Sequence, residues 1–262
     1  MASRPAPAEF RARLLAGELL LGTFIKTPVT HPVEVLGSAG LDFVVVDQEH
    51  APIDRVSVDA LVLAGRAAGI AVLVRVPGSA ARDVLPPLDC GAQGVLVPHV
   101  DTGARACAIV AEARYRGGRR GFSNSSRAGG YGAAGFREHV AAGDAQSAVL
   151  AMIEDVAALE VLPEIMSVPG LDAVFIGRGD LATALGADEP TAPAVVEAAG
   201  KIAAAAREAG KPLCAHVGRL DSPETGWLRS LGVSAFVVSS DQGLLRGAAL
   251  HAVSQFEAVR RG

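Results

Sequence analysis

The chain has 262 residues, half of them apolar and 4% aromatic, with a formal net charge of −4. This composition supplies a sizeable core and argues against disorder. The absence of a basic footprint or an aromatic stacking platform argues against a nucleic-acid partner and favours a small molecule. Cys90, Cys107 and Cys214 lie far apart without a CxxC pair, which suggests neither a disulfide framework nor a zinc cluster and fits a reducing cytoplasm. Glu18 interrupts the apolar stretch near the start, no apolar run reaches the ~18 residues of a membrane span, and neither a signal peptide nor a membrane partner is expected.

In chain order, eight short, β-branched, nearly all-apolar segments predict strands at 19–25, 42–47, 71–76, 94–98, 148–154, 172–177, 211–217 and 235–240. Between them lie Ala-rich stretches of helical length near 31–39, 57–68, 79–90, 101–114, 155–167, 192–209, 221–231 and 241–260. Strands without polar alternation are those covered on both faces, and strict βα alternation requires a parallel sheet. A doubly wound open sheet shows the same alternation, but eight units is the number of the (β/α)8 TIM barrel. The chain is read as one such α/β domain over 1–262. The Gly/Ser/Arg-rich stretch 116–135 is expected to be a long active-site loop, because ordered loops of this length usually carry function. Its Arg119, Arg120 and Arg127 either recognise a distal carboxylate or coat a surface or subunit interface.

The charged residues that interrupt the apolar segments gather at C-terminal strand ends, which in a barrel converge on the face where chemistry occurs. Asp47 ends the second strand with Glu49 and His50 just beyond it, Arg75 lies near the end of the third, Glu154 ends the fifth, and Asp180 follows the sixth. Each has a plain structural alternative, and Asp180 before LATALG either caps a helix or binds a ligand. Arg75 in an apolar strand must meet a carboxylate or an anionic ligand, because a buried unpaired guanidinium is costly. Glu154 and Asp180 are hard oxygen donors suited to Mg²⁺ or Mn²⁺, with water and substrate completing the shell. His99 and His216 point to the same face. The match of GRGDLA (177–182) to a dinucleotide-binding loop is weak, since it falls in the sixth βα unit and carries an acid where pyrophosphate would approach.

The blocks VVVDQEHAP, VLVRVPG, DCGAQGVLVPHV, RGF with the following SSRA, AMIED and VFIGRGDLATALG, in this order over roughly residues 15–245, resemble the HpcH/HpaI aldolase family, the class II pyruvate aldolases related to citrate lyase. The resemblance implies a (β/α)8 barrel in a homo-oligomer, commonly a hexamer built as a dimer of trimers. It implies His50 as base with Asp47 in the same loop, Asp89 as the acid that raises the basicity of that base, and Glu154 and Asp180 as metal ligands. It further implies Arg75 as the group that binds the pyruvate enolate oxygen, and backbone N–H groups at Gly179 and Asp180 as receivers of the pyruvate carboxylate. The metal is expected to be magnesium or manganese first, with cobalt or zinc behind. The chain departs from the family at Met152, beside the bound oxo acid, where the family has a Gln donor, and at Arg178, where the family has Pro; Arg178 either binds an acidic substrate or faces solvent.

The function expected is cleavage or formation of 4-hydroxy-2-oxo acids by a metal-dependent carbon–carbon lyase in the cytoplasm, with pyruvate as enolate donor and an aldehyde as the other partner. Alternatives are a CoA-ester lyase or citrate-forming enzyme on the same barrel, and a barrel that binds a 2-oxo acid without turning it over. Lys26, the one lysine that ends a strand, is the candidate nucleophile of a Schiff-base alternative.

Overall fold

The computed structural model describes residues 5–261. Eight parallel strands close into a barrel in chain order. They are β1 (Leu20–Ile25), β2 (Phe43–Asp47), β3 (Ala71–Arg75), β4 (Gly94–Val97), β5 (Ala148–Ile153), β6 (Ala173–Ile176), β7 (Leu213–Val217) and β8 (Val233–Ser240). Every predicted strand is present. Closure, which alternation alone left open against an open sheet, comes from the pairing of β1 with β8.

The strands read as unbroken apolar runs because their two faces meet two different cores. On β5, Val149, Ala151 and Ile153 pack outward with the helices, whereas Ala148, Leu150 and Met152 fill the barrel interior beside Phe24, Phe43, Leu73 and Phe175. Each fully buried Val, Leu, Ile or Phe contributes about 1.5–3 kcal/mol relative to exposure. Gly22 is part of this fit: a Cβ there would lie 2.5 Å from the Phe43 ring, so the interior ring occupies the space a side chain would take.

Helices at His31–Ala39, Arg55–Ala68, Ala81–Asp89, Gly103–Ala113, Pro193–Glu208, Pro223–Ser230 and Asp241–Arg261 answer the predicted ones. The stretch 155–167 instead splits into a 3₁₀ turn, Val156–Glu160, and a short helix, Leu162–Met166, with Pro163 in its first turn. Helices at Phe10–Leu15 and Phe136–Gln146 were not predicted, and the helix expected after Asp180 runs over Arg178–Ala184. The first plugs the end of the barrel away from the C-terminal strand ends: Phe10 and Leu14 join the interior cluster, with the Phe10 and Phe43 rings 5.2 Å apart. The third begins two residues before Asp180 with Gly177 as its N-cap, so Asp180 sits in the first turn and is not the cap.

The helix Asp241–Arg261 differs from the others in leaving its apolar residues uncovered. Leu245, Val253 and Val259 are 72%, 57% and 74% exposed, and Leu250 and Phe256 are exposed too. Among the described residues no helix is long and apolar enough to cross a membrane.

Candidate active site

A cavity of about 730 Å³ opens at the C-terminal ends of the strands, and its lining includes Lys26, His50, Arg75, Met152, Glu154 and Asp180. Period-two alternation explains why these residues meet: Met152 and Phe175 belong to the interior layer, and the next inward positions, Glu154 and Gly177, rise above it into the cavity. The strands thus deliver polar groups to the mouth while their lower turns stay apolar.

Asp47 and Arg75 are register partners on β2 and β3. Arg75 Nε and Nη2 donate to Asp47 Oδ1 and Oδ2 at 3.0 and 2.7 Å. Asp47 Oδ1 also accepts the backbone N–H of Glu49 and of His50, at 3.2 and 3.1 Å. Burial pushes the Asp47 carboxyl up, but the Arg75 hydrogen bonds and charge outweigh it and hold the group below the ordinary carboxylate value. Asp47 therefore shapes the His50 loop through its backbone, while its side chain orients Arg75. The Arg75 guanidinium lies over the Phe24 ring at 4.8 Å, with Nη1 3.3 Å from Glu49. The imidazole of His50 is 56% exposed, 3.7 Å from Glu49 Oε2.

On the opposite wall Glu154 is 2% exposed and accepts the backbone N–H of His99 at 2.8 Å. Burial pushes its carboxyl up to about 7; the N–H and charge of His99 pull it back, and the carboxylates of Asp180 and Glu49 add to the rise. His99 holds a left-handed backbone, φ 54°, and its Nδ1 lies 3.2 Å from Asp155 Oδ2. Burial lowers its imidazole, but Glu154, Asp155 and Glu49 outweigh burial and raise it overall. A left-handed non-glycine residue is strained, and here it aims an amide at Glu154. Gly177 completes the wall: a Cβ there would come within 2.5 Å of Glu154 Cβ and 2.8 Å of Oε2.

Two expected participants lie elsewhere. Asp89 ends the helix Ala81–Asp89, which runs back from the top of β3 toward the start of β4, so within one chain it lies at the end of the barrel away from His50. There its carboxyl lies 3.5 Å from Arg120, and burial raises it despite that charge. The stretch 116–135 joins the helices Gly103–Ala113 and Phe136–Gln146 within the return from the top of β4 to the start of β5, and such returns lie at the same far end. It is not an active-site loop of its own barrel: Arg119, Arg120 and Arg127 pair with Glu112, Asp89 and Asp59.

Arg178 meets neither solvent nor a free anion site. It is 6% exposed, 2.5 Å from Glu224, and donates to the backbone oxygen of His216 at 2.7 Å. Lys26 was not singled out as a binding residue; its ammonium is 3.2 Å from Asp47 Oδ2. Glu49 and His216, placed on this face by the sequence without a role, reach the site, whereas Glu224 and Ser239 were missed. Counting inward parity past the strand end is the signal that finds Ser239.

Comparison with known proteins agrees with the barrel fold. The family model described as HpcH/HpaI aldolase/citrate lyase matches residues 21–224. A hydroxypyruvate/pyruvate aldolase of Roseobacter denitrificans is 36% identical over 185 residues, 70% of this chain and 72% of the relative. A 5-keto-4-deoxy-D-glucarate aldolase of Klebsiella pneumoniae is 34% identical over 246 residues, 92% of this chain and 94% of the relative. A solved structure of an HpcH/HpaI aldolase/citrate lyase family protein from Burkholderia cenocepacia superposes with a TM-score of 0.89 at 28% identity, covering 95% of this chain and 99% of that one.

Proposed function

Since the chain belongs to the HpcH/HpaI aldolase/citrate lyase family, we propose that it is a divalent-metal-dependent aldolase that cleaves or forms 4-hydroxy-2-oxo acids through a pyruvate enolate. The observation that carries this is the pairing of two walls in one cavity: Glu154 and Asp180 on one, His50 and the Asp47-held Arg75 on the other. The donor set suits a hard cation, because the buried Glu154 carboxyl has been pushed up to about 7 with the carboxylates of Asp180 and Glu49 adding to the rise. Carboxylate oxygens are the donors a hard divalent cation prefers, and Glu154 and Asp180 line the same cavity. When bound through Glu154 and Asp180, Mg²⁺ or Mn²⁺ would supply Lewis-acid polarisation of the 2-oxo group.

In the cleavage direction His50, accessible at the mouth, takes the proton of the 4-hydroxyl, directly or through a water. The C3–C4 bond breaks, the carbonyl of the departing aldehyde forms, and the bond's electron pair becomes the enolate. Arg75 stabilises the enolate oxygen, and its preorganisation by Asp47 means that little reorientation is required as charge develops. The backbone N–H groups at Gly179 and Asp180, at the start of a helix, receive the substrate carboxylate. Return of the proton held by His50, directly or through a water, to C3 then gives pyruvate and restores the base. Met152 offers no amide to the oxo acid, so orientation falls more heavily on Arg75.

The assembly is proposed to be a homo-oligomer, supported by the uncovered apolar residues of Asp241–Arg261. A role for Asp89 toward His50 then operates between copies. Enolate formation is tested alone by following exchange of the pyruvate methyl hydrogens in D₂O by NMR. Metal-stimulated exchange that disappears in Arg75→Ala is expected, and exchange at the uncatalysed rate would remove the enolate from the account.

A further inference from the structure

The wall formed by the ends of β7, β8 and β1 is not used by the mechanism above. It carries Lys26, His216, Ser239 and Ser240, with Arg178 and Glu224 beside them. Three acids line the cavity. Glu154 and Asp180 stand at the proposed metal end, and the third, Glu224, is committed to Arg178 at 2.5 Å. The His216 imidazole is lowered by burial and by the Arg178 charge, which favours its neutral form.

Lys26 is the cation of this wall whose charge is least answered. Its backbone is fixed: the N–H groups of Lys26 and Thr27 donate to the two oxygens of Asp241, at 2.9 and 3.1 Å. Its side chain is 29% exposed, and its ammonium lies 3.2 Å from Asp47 Oδ2. That same carboxylate already accepts two shorter bonds from Arg75 and two backbone N–H groups. One carboxylate thus answers two cations, and Arg75 is the stronger claimant because its planar fork is bidentate. An ammonium has three donors, and its contact with Asp47 is an ion pair that occupies at most one of them.

We infer that Lys26 is a specificity-determining residue that anchors a carboxylate carried by the aldehyde partner. The inference rests on the aldolase proposal and adds to it the class of aldehyde. The oxo-acid end of a substrate lies toward Glu154 and Asp180, the bond that breaks lies between His50 and Arg75, and the released fragment extends toward β1. Lys26, His216, Ser239 and Ser240 on that side are all able to donate hydrogen bonds, and the carboxylate that lines the cavity there, Glu224, is already paired. An aldehyde ending in a carboxylate satisfies the ammonium; an aldehyde ending in a methyl group leaves it with Asp47 alone.

The test measures kcat/KM for addition of pyruvate to two matched pairs, glyoxylate against glycolaldehyde and succinic semialdehyde against butanal, with the full chain and Mg²⁺. A charged hydrogen bond at a partly exposed site corresponds to roughly 10-fold to 100-fold in discrimination, so in at least one pair the carboxylated member is expected to be preferred by that order. In Lys26→Gln that preference collapses toward unity, and in Lys26→Arg most of it returns. Equal turnover of both members of both pairs by the unaltered chain overturns the inference while leaving the aldolase proposal standing. So does a preference that survives in Lys26→Gln, or a loss in that variant equal for charged and neutral aldehydes. Addition to none of the four overturns the aldolase proposal itself, and the inference with it.

Discussion

Arg75 and Asp47 face each other in register at the tops of β3 and β2, joined by two hydrogen bonds of 3.0 and 2.7 Å. The pair is both structural and functional. Replacing Arg75 by Lys removes the fork that the proposed enolate oxygen needs, and kcat/KM is expected to fall by roughly 10²–10³ with little change in fold. Asp47→Ala leaves the buried guanidinium with Glu49 as its remaining carboxylate partner and should lower stability by up to about 3 kcal/mol. Chemical denaturation of both variants separates the two effects.

The same pair predicts an acid limb in stability. Asp47 titrates lower in the native state than in the unfolded chain. Its contribution is therefore complete above the unfolded carboxylate value of about 4 and is lost as pH falls through the lower native value. Thermal unfolding measured from pH 6 downward should show a decline below about pH 4 that is smaller in Asp47→Asn.

Glu154 predicts how metal binding depends on pH. With its carboxyl raised to about 7, binding of a cation displaces a proton below that pH and none above it. Affinity for Mn²⁺, measured by calorimetry, should rise by up to about tenfold per pH unit as pH approaches 7 and then level off. Glu154→Gln should bind weakly with no such slope. An affinity flat from pH 5 to 8 in the unaltered chain would contradict the assignment.

Gly177 tests how closely the metal wall is packed. Gly177→Ala would bring a methyl group within 2.8 Å of Glu154 Oε2 and so displace the carboxylate. A loss of about 10–100-fold in Mn²⁺ affinity is expected, the size seen when groups that orient metal ligands are disturbed. Circular dichroism should show the barrel intact.

The helix Asp241–Arg261 predicts assembly. Sedimentation of the unaltered chain should give a species larger than a monomer. Leu245→Glu combined with Val253→Glu should dissociate it, since both side chains are more than half exposed in one copy and apolar patches of this kind mark interfaces. A monomeric unaltered chain would remove the oligomer from the account.

Most of the barrel was legible because burial on both faces leaves an unmistakable apolar run at each strand, and the strand ends that bear Asp47, Arg75 and Glu154 could be read from where those runs stop. The helix Phe136–Gln146 was not, since the Gly/Ser-rich stretch before it masks where it starts. Nor was the position of 116–135 drawn from topology, although a connection from helix to strand lies away from the active face. Side-chain pairing was the other gap. Spacing cannot show that Arg178 is taken by Glu224, or that Asp47 holds Arg75 and Lys26 while giving His50 only a backbone contact.

The central claim is a metal-dependent retro-aldol reaction, and pyruvate release from a 4-hydroxy-2-oxo acid in the presence and absence of chelator tests it most directly. The account predicts that EDTA abolishes release, that Mg²⁺ or Mn²⁺ restores it, and that Glu154→Ala is not restored by either. Full activity in EDTA that disappears in Lys26→Ala would contradict it and assign the chemistry to an imine on Lys26.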